Sequence, residues 1–448
     1  MTKDGTTAAA QKFSTLKLKS LTNNGQIIMD VSPDNNQLGD QIVTTDASGN
    51  GTIKANIPAS ELNAAGTDYL EASTNPLITV TGTDTSNYTV SNNGTNRLEV
   101  GNWTYSLQKY TYTDGAGVQQ TGYRLTNSSL LSNKGATVVS ALVSPDYWYD
   151  ETNALYSDLN NFTTARKDHD LWAHGVHSKL TVKDRDVAVA NGADLDTKYD
   201  GVVFGYDKKI SQTKRGTFWA GVMAGYGRGN SDFSEGDADT DSAHIGVYGV
   251  YRTTSDWYLG GIMKYNHYKT DVDSYTTAGS ASSIHTSDNL SQNGWGLSIM
   301  GGKRFHNSKG WFVEPQLEFG FHRIGEGDYD LGAEHVNVDA VTSKRLRAGI
   351  GFGKSLLYKN GSSLDVFAQA SLVHEFGADN TVTTSNNLSS SGSRDRFDVD
   401  YGGTWGQYKL GVNYNTVKGD NVIFALTYNK GGHRSSPLGF EVTYNWTF

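Results

Sequence analysis

Trp311-Phe312-Val313-Glu314-Pro315-Gln316-Leu317-Glu318-Phe319-Gly320-Phe321-His322 decides the fold. Trp311, Val313, Pro315, Leu317, Phe319 and Phe321 alternate with a set that includes Glu314, Gln316, Glu318, Gly320 and His322. A period of two marks a β-strand. Its two faces need different surroundings, because carboxylates cannot be left unpaired in a dry core. Lipid outside and a polar lumen inside satisfy both faces, and closure of the sheet removes edges that lipid would not tolerate.

The same pattern spreads in both directions. Phe218 to Tyr226, Trp295 to Ile299, Leu346 to Phe352, Leu364 to Leu372, Tyr408 to Tyr414, Val422 to Tyr428 and Phe440 to Phe448 all alternate. Strands near 172–180, 199–207, 244–252 and 257–268 bring the count to twelve. The connections alternate as well. Long ones are expected at 181–198, 227–242, 269–290, 325–342 and 377–403, and short ones at 208–216, 253–256, 304–310, 358–362 and 417–420. A medium connection falls at 430–438. Short turns at one end and long loops at the other are the pattern of outer-membrane barrels. The fold expected is therefore all-β: a 12-stranded antiparallel transmembrane β-barrel over 169–448.

Trp172, Trp219, Trp257, Trp311 and Trp446 fall near expected strand ends, as an interfacial aromatic girdle requires. Pro315 removes a ladder donor from a central strand, so a local bulge is expected there. Glu314, Glu318, Arg345 and Arg347 share the inward phase of two neighbouring strands and are candidates for pairing in the lumen.

Upstream, two further regions separate. Residues 1–127 are rich in Asn, Thr, Gly and Ser, with short alternating segments punctuated by Asn24-Gly25, Asn50-Gly51 and Asn93-Gly94. This reads as an all-β region with a polar surface. Residues 128–168 form a linker. Within it Ser144-Pro145 reads as an N-cap and first helical residue. Tyr149, Thr152, Leu155, Tyr156, Leu159 and Phe162 then recur at helical spacing. A helix over about 145–166 would be roughly 33 Å long at 1.5 Å per residue, near the thickness of a bilayer core. Asp150, Glu151, Asn153 and Asp158 make it too polar for lipid but suited to a pore.

Composition limits the chemistry. The chain has 448 residues, no cysteine and a net charge of −9. Disulfides and cysteine-based sites are excluded, and no basic stripe invites nucleic acid. No run of about 20 apolar residues reads as a membrane helix. The polar start Met1-Thr-Lys-Asp-Gly is no secretory leader, so an exported form is expected to have a longer precursor. There is no Gly-x-Ser-x-Gly elbow. His174 with His177, or His374 with Glu375, lacks a third ligand at a helpful spacing, and no helix follows Gly225 to Gly229 to make a phosphate loop. Neither a cofactor nor a metal is expected.

Several segments together carry a family resemblance. Leu171-Trp172-Ala173-His174-Gly175 resembles the opening barrel strand of bacterial autotransporters (type V secretion), usually Leu/Ala-Trp-Ala-Arg, with His in place of Arg. Asp200-Gly201 to Gly205-Tyr206-Asp207 is similar to the second strand. Gly310 to Gln316, Leu372 to Phe376 and Ser436-Pro437-Leu438-Gly439 are similar to other characteristic segments. The resemblance implies a translocator that supports export or display of an N-terminal passenger. Residues 17–127 then look like the passenger's C-terminal autochaperone, a β-solenoid-like cap, with Val100 to Leu107 as its most similar part. The helix looks like the segment that plugs the pore. Tyr444, Trp446 and Phe448 look like the signal read by the barrel-assembly machinery, which with periplasmic chaperones and outer-membrane lipid would be the partners. Glu151-Thr152-Asn153-Ala154-Leu155 resembles a self-cleavage segment in which an Asn side chain attacks its own carbonyl, although Ala154 replaces the family's second Asn. The implied location is the outer membrane, with the passenger at the cell surface and its ligand unspecified. The alternatives are an outer-membrane barrel enzyme (phospholipase or protease) and a soluble carbohydrate-binding β-protein.

Overall fold

The computed structural model describes residues 13–31, 39–57, 76–90, 98–141, 144–160, 169–182, 195–233, 236–277, 283–332, 334–386, 394–400, 402–432 and 434–447. Twelve strands form a closed antiparallel barrel. They are β1 (His169–Val182), β2 (Leu195–Gln212), β3 (Gly216–Phe233), β4 (Gly236–Thr253), β5 (Trp257–Thr277) and β6 (Ser283–Lys303), followed by β7 (Trp311–Ile324), β8 (Val341–Leu357), β9 (Ser363–Phe376), β10 (Gly403–Asn415), β11 (Asn421–Gly431) and β12 (Arg434–Thr447). Neighbours in sequence pair throughout, and β1 closes the barrel on β12, from Asp170 opposite Thr447 to Val182 opposite Arg434.

Side-chain parity sorts the wall. Phe204, Val222, Ile245, Leu297, Leu317, Ile350, Leu372 and Leu410 are exposed on the outside, while Glu318, Arg347, Asn266 and His322 are buried inside. Trp257, Trp311 and Trp446 are 53%, 41% and 43% exposed and lie in the lower girdle, near the short turns. Trp172 and Trp219 depart from the expectation. Each is 4% exposed and faces the lumen, where Trp172 donates to Tyr248 Oη at 2.7 Å. Proximity to a strand end suggested the girdle, but parity places them in an inward cluster with Val203, Met223, Tyr248, Ile262 and Met300. Part of the lumen lining is therefore apolar.

Pro315 produces no bulge. The register across β7 and β8 runs unbroken through Pro315 opposite Ile350. Across β6 and β7 pairing stops after Gly302 opposite Gln316 and resumes at Phe305 opposite Val313 in the same register. The missing N–H is accommodated by a gap in the ladder beside Lys303.

The long loops also differ from expectation. Over 227–242 and 269–290 the strands continue. β5 and β6 are each 21 residues, roughly 70 Å at about 3.3 Å per residue, and overshoot any bilayer core even when tilted. The segments at 325–342 and 377–403 contribute Gly327–Leu331, Glu334–Val338, Asp379–Asn386 and Arg394–Asp400, which pair into a four-stranded sheet over the mouth. Val336, Val338, Val382, Phe397 and Val399 are its buried face.

Upstream of the barrel, Thr15–Thr22, Gln41–Ser48 and Ile78–Val80 stack in parallel, as do Gln26–Asp30, Thr52–Asn56 and Thr89–Val90. These are rungs of a solenoid around Ile42, Ile53, Ile78, Val80, Tyr88 and Val90. The antiparallel pair Trp103–Thr113 and Gln119–Leu131 ends the stack.

Two helices follow. α1 (Asn133–Ser140) was not expected. Ser132 caps it, accepting from Gly135 N at 3.0 Å while donating to Gly101 O at 2.6 Å. Gly135 is required there, since a Cβ would lie 2.3 Å from Asn102 O. α2 (Ser144–Asn160) is the expected lumen helix. Its bounds differ from 145–166, and residues 161–168 lie outside those described. Ser144 is part of the helix, and its hydroxyl donates to Gln292 Oε1 at 3.1 Å.

Candidate functional site in the barrel lumen

α2 enters from the long-loop end and presents Tyr147, Trp148, Tyr149 and Glu151 to the inner wall. Helical geometry puts these four on successive sides of little more than one turn, so they reach different strands. Tyr147 Oη lies 2.7 Å from Thr197 Oγ1 on β2 and 2.9 Å from Ser231 Oγ on β3. Trp148 stacks on His322 of β7, with ring centroids 5.1 Å apart. Tyr149 Oη is 2.8 Å from Ser343 Oγ on β8, and its ring centroid lies 4.3 Å from Arg345 Cζ.

Glu151 is the centre of the arrangement and is fully buried. Its Oε1 accepts from Tyr199 Oη at 2.9 Å and Ser242 Oγ at 2.5 Å. Its Oε2 accepts from Lys264 Nζ at 2.5 Å and Asn266 Nδ2 at 2.6 Å. His244 Nδ1 is 3.6 Å from Oε1. Lys264 also sits 4.1 Å from the Trp148 ring centroid. One helix carboxylate is thus tied to strands β2, β4 and β5. Sequence reading missed this cluster. Its signal was present, for Ser242, His244, Lys264 and Asn266 all hold inward positions of two adjacent alternating strands.

Nearer the short turns, polar pairs between wall residues fill the lumen. Glu318 bridges Arg345 at 3.0 Å and Arg347 at 2.6 Å. Glu314 accepts from Arg304 Nε at 2.5 Å, Tyr258 Oη at 2.9 Å and Gln316 Nε2 at 2.9 Å. Glu441 pairs with Lys409. Charges this buried need partners, and these have them within the wall. Asn153 is half-buried on α2. The side chain of Ala154 and all of Phe448 lie outside the described residues, whereas Trp446 faces outward and Tyr444 is partly covered on the same face. His174 contacts Thr443 Oγ1 at 2.7 Å, and His374 contacts Thr404 Oγ1 at 2.6 Å. Among the described residues, no group of three His, Asp or Glu side chains is arranged for a metal.

Above the mouth, the end of the solenoid rests on the barrel. Asn102 Nδ2 lies 2.5 Å from Glu334 Oε1, 3.0 Å from Thr384 Oγ1 and 3.0 Å from Asp395 Oδ2. Lys134 of α1 pairs with the other oxygen of Glu334. Trp103, Val138 and Val139 pack with the loop-derived sheet and with Val272 and Leu290 of the strand extensions.

Two family models match the chain. Residues 171–429 match the autotransporter beta-domain and residues 3–117 match pertactin. The pertactin autotransporter of Bordetella parapertussis is 27% identical over 303 residues, 67% of this chain and 31% of that protein. The BrkA autotransporter of Bordetella pertussis is 24% identical over 445 residues, 98% of this chain and 41% of that protein. The chain therefore spans less than half the length of these relatives. Among solved structures, the beta domain of the Bordetella autotransporter BrkA aligns with a TM-score of 0.51 at 21% identity, covering 63% of this chain and all of that one. The translocator domain of NalP from Neisseria meningitidis gives 0.52 at 16% identity, covering 70% of this chain and all of that one. Both share the barrel fold. With the closed twelve-stranded wall, the helix in its lumen and a family match over more than half its length, the chain belongs to the autotransporters, and its barrel is an outer-membrane translocator domain.

Proposed function

We propose that residues 1–127 are passenger, that 128–168 carry the linker and lumen helix, and that 169–448 are the membrane unit through which the passenger is exported and then displayed at the cell surface. The carrying observation is continuity. A folded solenoid end rests on the long-loop mouth, and α2 runs from it into the closed barrel. Such a path supports the reading of a chain drawn outward through the lumen. The barrel-assembly machinery and periplasmic chaperones are the partners of insertion, with Tyr444, Trp446 and Phe448 as the recognition segment. The chain has no cysteine, so Val118→Cys, in an exposed turn of the passenger, reports topology alone. A membrane-impermeant maleimide is expected to label it in intact cells, and deletion of 145–166 to abolish that labelling. Labelling only after lysis sinks the proposal.

The helix also carries a single-turnover reading. The Asn153 side-chain nitrogen attacks its own backbone carbonyl, a succinimide forms, and the Asn153–Ala154 peptide bond breaks with the proton passing to the departing Ala154 amine. Support comes from the segment Glu151 to Leu155 and from the half-buried place of Asn153 in the lumen. Mass spectrometry of outer-membrane fractions checks it: a barrel fragment starting at Ala154 is expected, and an intact 48.6 kDa chain alone refutes it.

A further inference from the structure

The lipid-facing wall is not uniform. Near the short-turn end of β5, β6 and β7 it holds a groove of about 740 Å³. Its floor is low because Gly301 and Pro315 stand at outward positions where neighbouring strands carry large side chains. Leu259, Ile299, Leu317 and Phe319 form its exposed apolar sides. The gap in the β6–β7 ladder beside Pro315 lies at this point, next to Lys303.

A cation heads the groove. Lys303 Nζ lies 5.1 Å from the Trp257 ring centroid and 4.6 Å from that of Phe305. Across β7, Lys354 Nζ lies 5.2 Å from the Trp311 ring centroid. All three rings are exposed members of the lower girdle. Among the described residues, neither lysine has a carboxylate within ion-pair distance, whereas Arg304, one residue on, pairs with Glu314 and Asp365. Lysine at a membrane interface extends its amine toward the headgroups while its stem covers apolar surface, and clustered basic residues there attract anionic lipid.

We propose that this groove is a binding site for one anionic glycerophospholipid of the periplasmic leaflet, with an acyl chain along Leu259, Ile299 and Leu317 and its phosphate on Lys303. The site goes beyond export, since it lies on the outside of the wall and away from α2. Position within the apolar band specifies the acyl chain, and the unpaired cation specifies the headgroup. The short-turn end specifies the leaflet, because short turns are periplasmic in such barrels.

Two substitutions separate the parts. In Gly301→Leu the added Cβ meets only Tyr258 O at 3.4 Å and Leu259 Cδ1 at 3.5 Å, so the side chain fills the groove without forcing the backbone. Lys303→Gln removes the charge alone. Native mass spectrometry of the full chain in mild detergent, with added phosphatidylglycerol or phosphatidylcholine, is the measurement, and heat-modifiable gel mobility confirms each folded barrel. The wild type is expected to retain one phosphatidylglycerol. Gly301→Leu should lower that retention at least tenfold, and Lys303→Gln should abolish the preference for phosphatidylglycerol over phosphatidylcholine. If Gly301→Leu does not fold, Leu317→Trp fills the groove from its other side and is read identically. Equal retention in wild type and groove-filled variant, an unchanged headgroup preference in Lys303→Gln, or a lipid A adduct in place of phosphatidylglycerol would each overturn the proposal.

Discussion

Replacing Lys264 by Met asks how firmly α2 is held. The wild-type lumen surrounds Glu151 with Lys264 Nζ at 2.5 Å, Asn266 at 2.6 Å, Ser242 at 2.5 Å and Tyr199 at 2.9 Å. Lys264→Met leaves the three neutral donors but strands the carboxylate among buried groups. Removing one partner of a buried pair costs about 3–5 kcal/mol, because the remaining charge is neither paired nor hydrated. When α2 leaves the lumen, water enters and solvates that charge, so the cost falls on the helix-in state alone. At about 1.4 kcal/mol per decade, the helix-out population should rise by roughly two to three and a half powers of ten. Glu151→Gln should act in the same direction by stranding Lys264. The double variant Glu151→Leu/Lys264→Met leaves no charge and should return toward the closed state. Single-channel recording in planar bilayers reads this as the fraction of time at high conductance. If both single variants, shown folded by heat-modifiable mobility, keep the wild-type open fraction, the pair does not hold the helix and the reasoning fails.

Gly229→Val should displace α2 by sterics rather than charge, since a Cβ there would lie 2.1 Å from the Tyr147 ring; in an Asn153→Cys background, maleimide labelling is expected to quicken at least tenfold, and an unchanged rate contradicts the packing. Asn102→Ala removes the amide shared by Glu334, Thr384 and Asp395 and should lower the stability of the passenger end by about 1–3 kcal/mol, read as faster proteolysis of residues 98–141 with no change in barrel melting. Phe397→Ala should destabilise the loop-derived sheet by about 3–5 kcal/mol, and amide exchange over 327–338 and 379–400 is the check. Deleting Phe448 is expected to leave most of the chain unfolded at the membrane in a heat-modifiability gel; normal assembly removes its role as a recognition element.

The barrel was legible because lipid and lumen impose opposite demands on alternate residues, and that demand recurs along every strand. Strand ends were less legible, since Lys269 to Asp273 and Asp288 to Gln292 continue the ladder in water, where no apolar partner is required. The sheet over the mouth carries its alternation in short pieces such as Tyr329 and Leu331, Val336 and Val338, or Phe397 and Val399. Each is too brief to rise above a polar loop. Nearness to a strand end suggests the interface for Trp172 and Trp219, but parity counted from Leu171 and Phe218 places both inside. For the Glu151 cluster, parity marks Ser242, His244, Lys264 and Asn266 as inward-facing neighbours, but which side of the helix meets them is set by packing that no local pattern encodes. Glu318 with Arg345 and Arg347 needed only the phase of adjacent strands, and sequence reached it.

The kinds of contact inside the barrel bear on why a helix can both occupy the lumen and vacate it. An apolar seat would hold α2 by about 25 cal/mol for each Å² buried, and nothing would replace those contacts on exit. The observed seat is mixed: Leu180, Leu195, Ile324 and Val341 cluster with Tyr147 and Trp148, while Thr197, Ser231, Ser242, Asn266, Ser343 and Lys264 meet Tyr147, Tyr149 and Glu151 through polar contacts. Water can serve these polar groups on exit, so net retention is about 1 kcal/mol per neutral hydrogen bond and about 1.5–3 kcal/mol for those to the Glu151 carboxylate. The carboxylates of Glu318 and Glu314, by contrast, have their cationic partners within the wall, and of those cations Arg345 also touches the helix, over the Tyr149 ring. The wall thus pairs Glu314 and Glu318 with its own arginines, while Lys264 and the neutral donors are lent to whatever chain lies in the lumen. That division of partners suits a wall that must stay intact while a polypeptide moves through it.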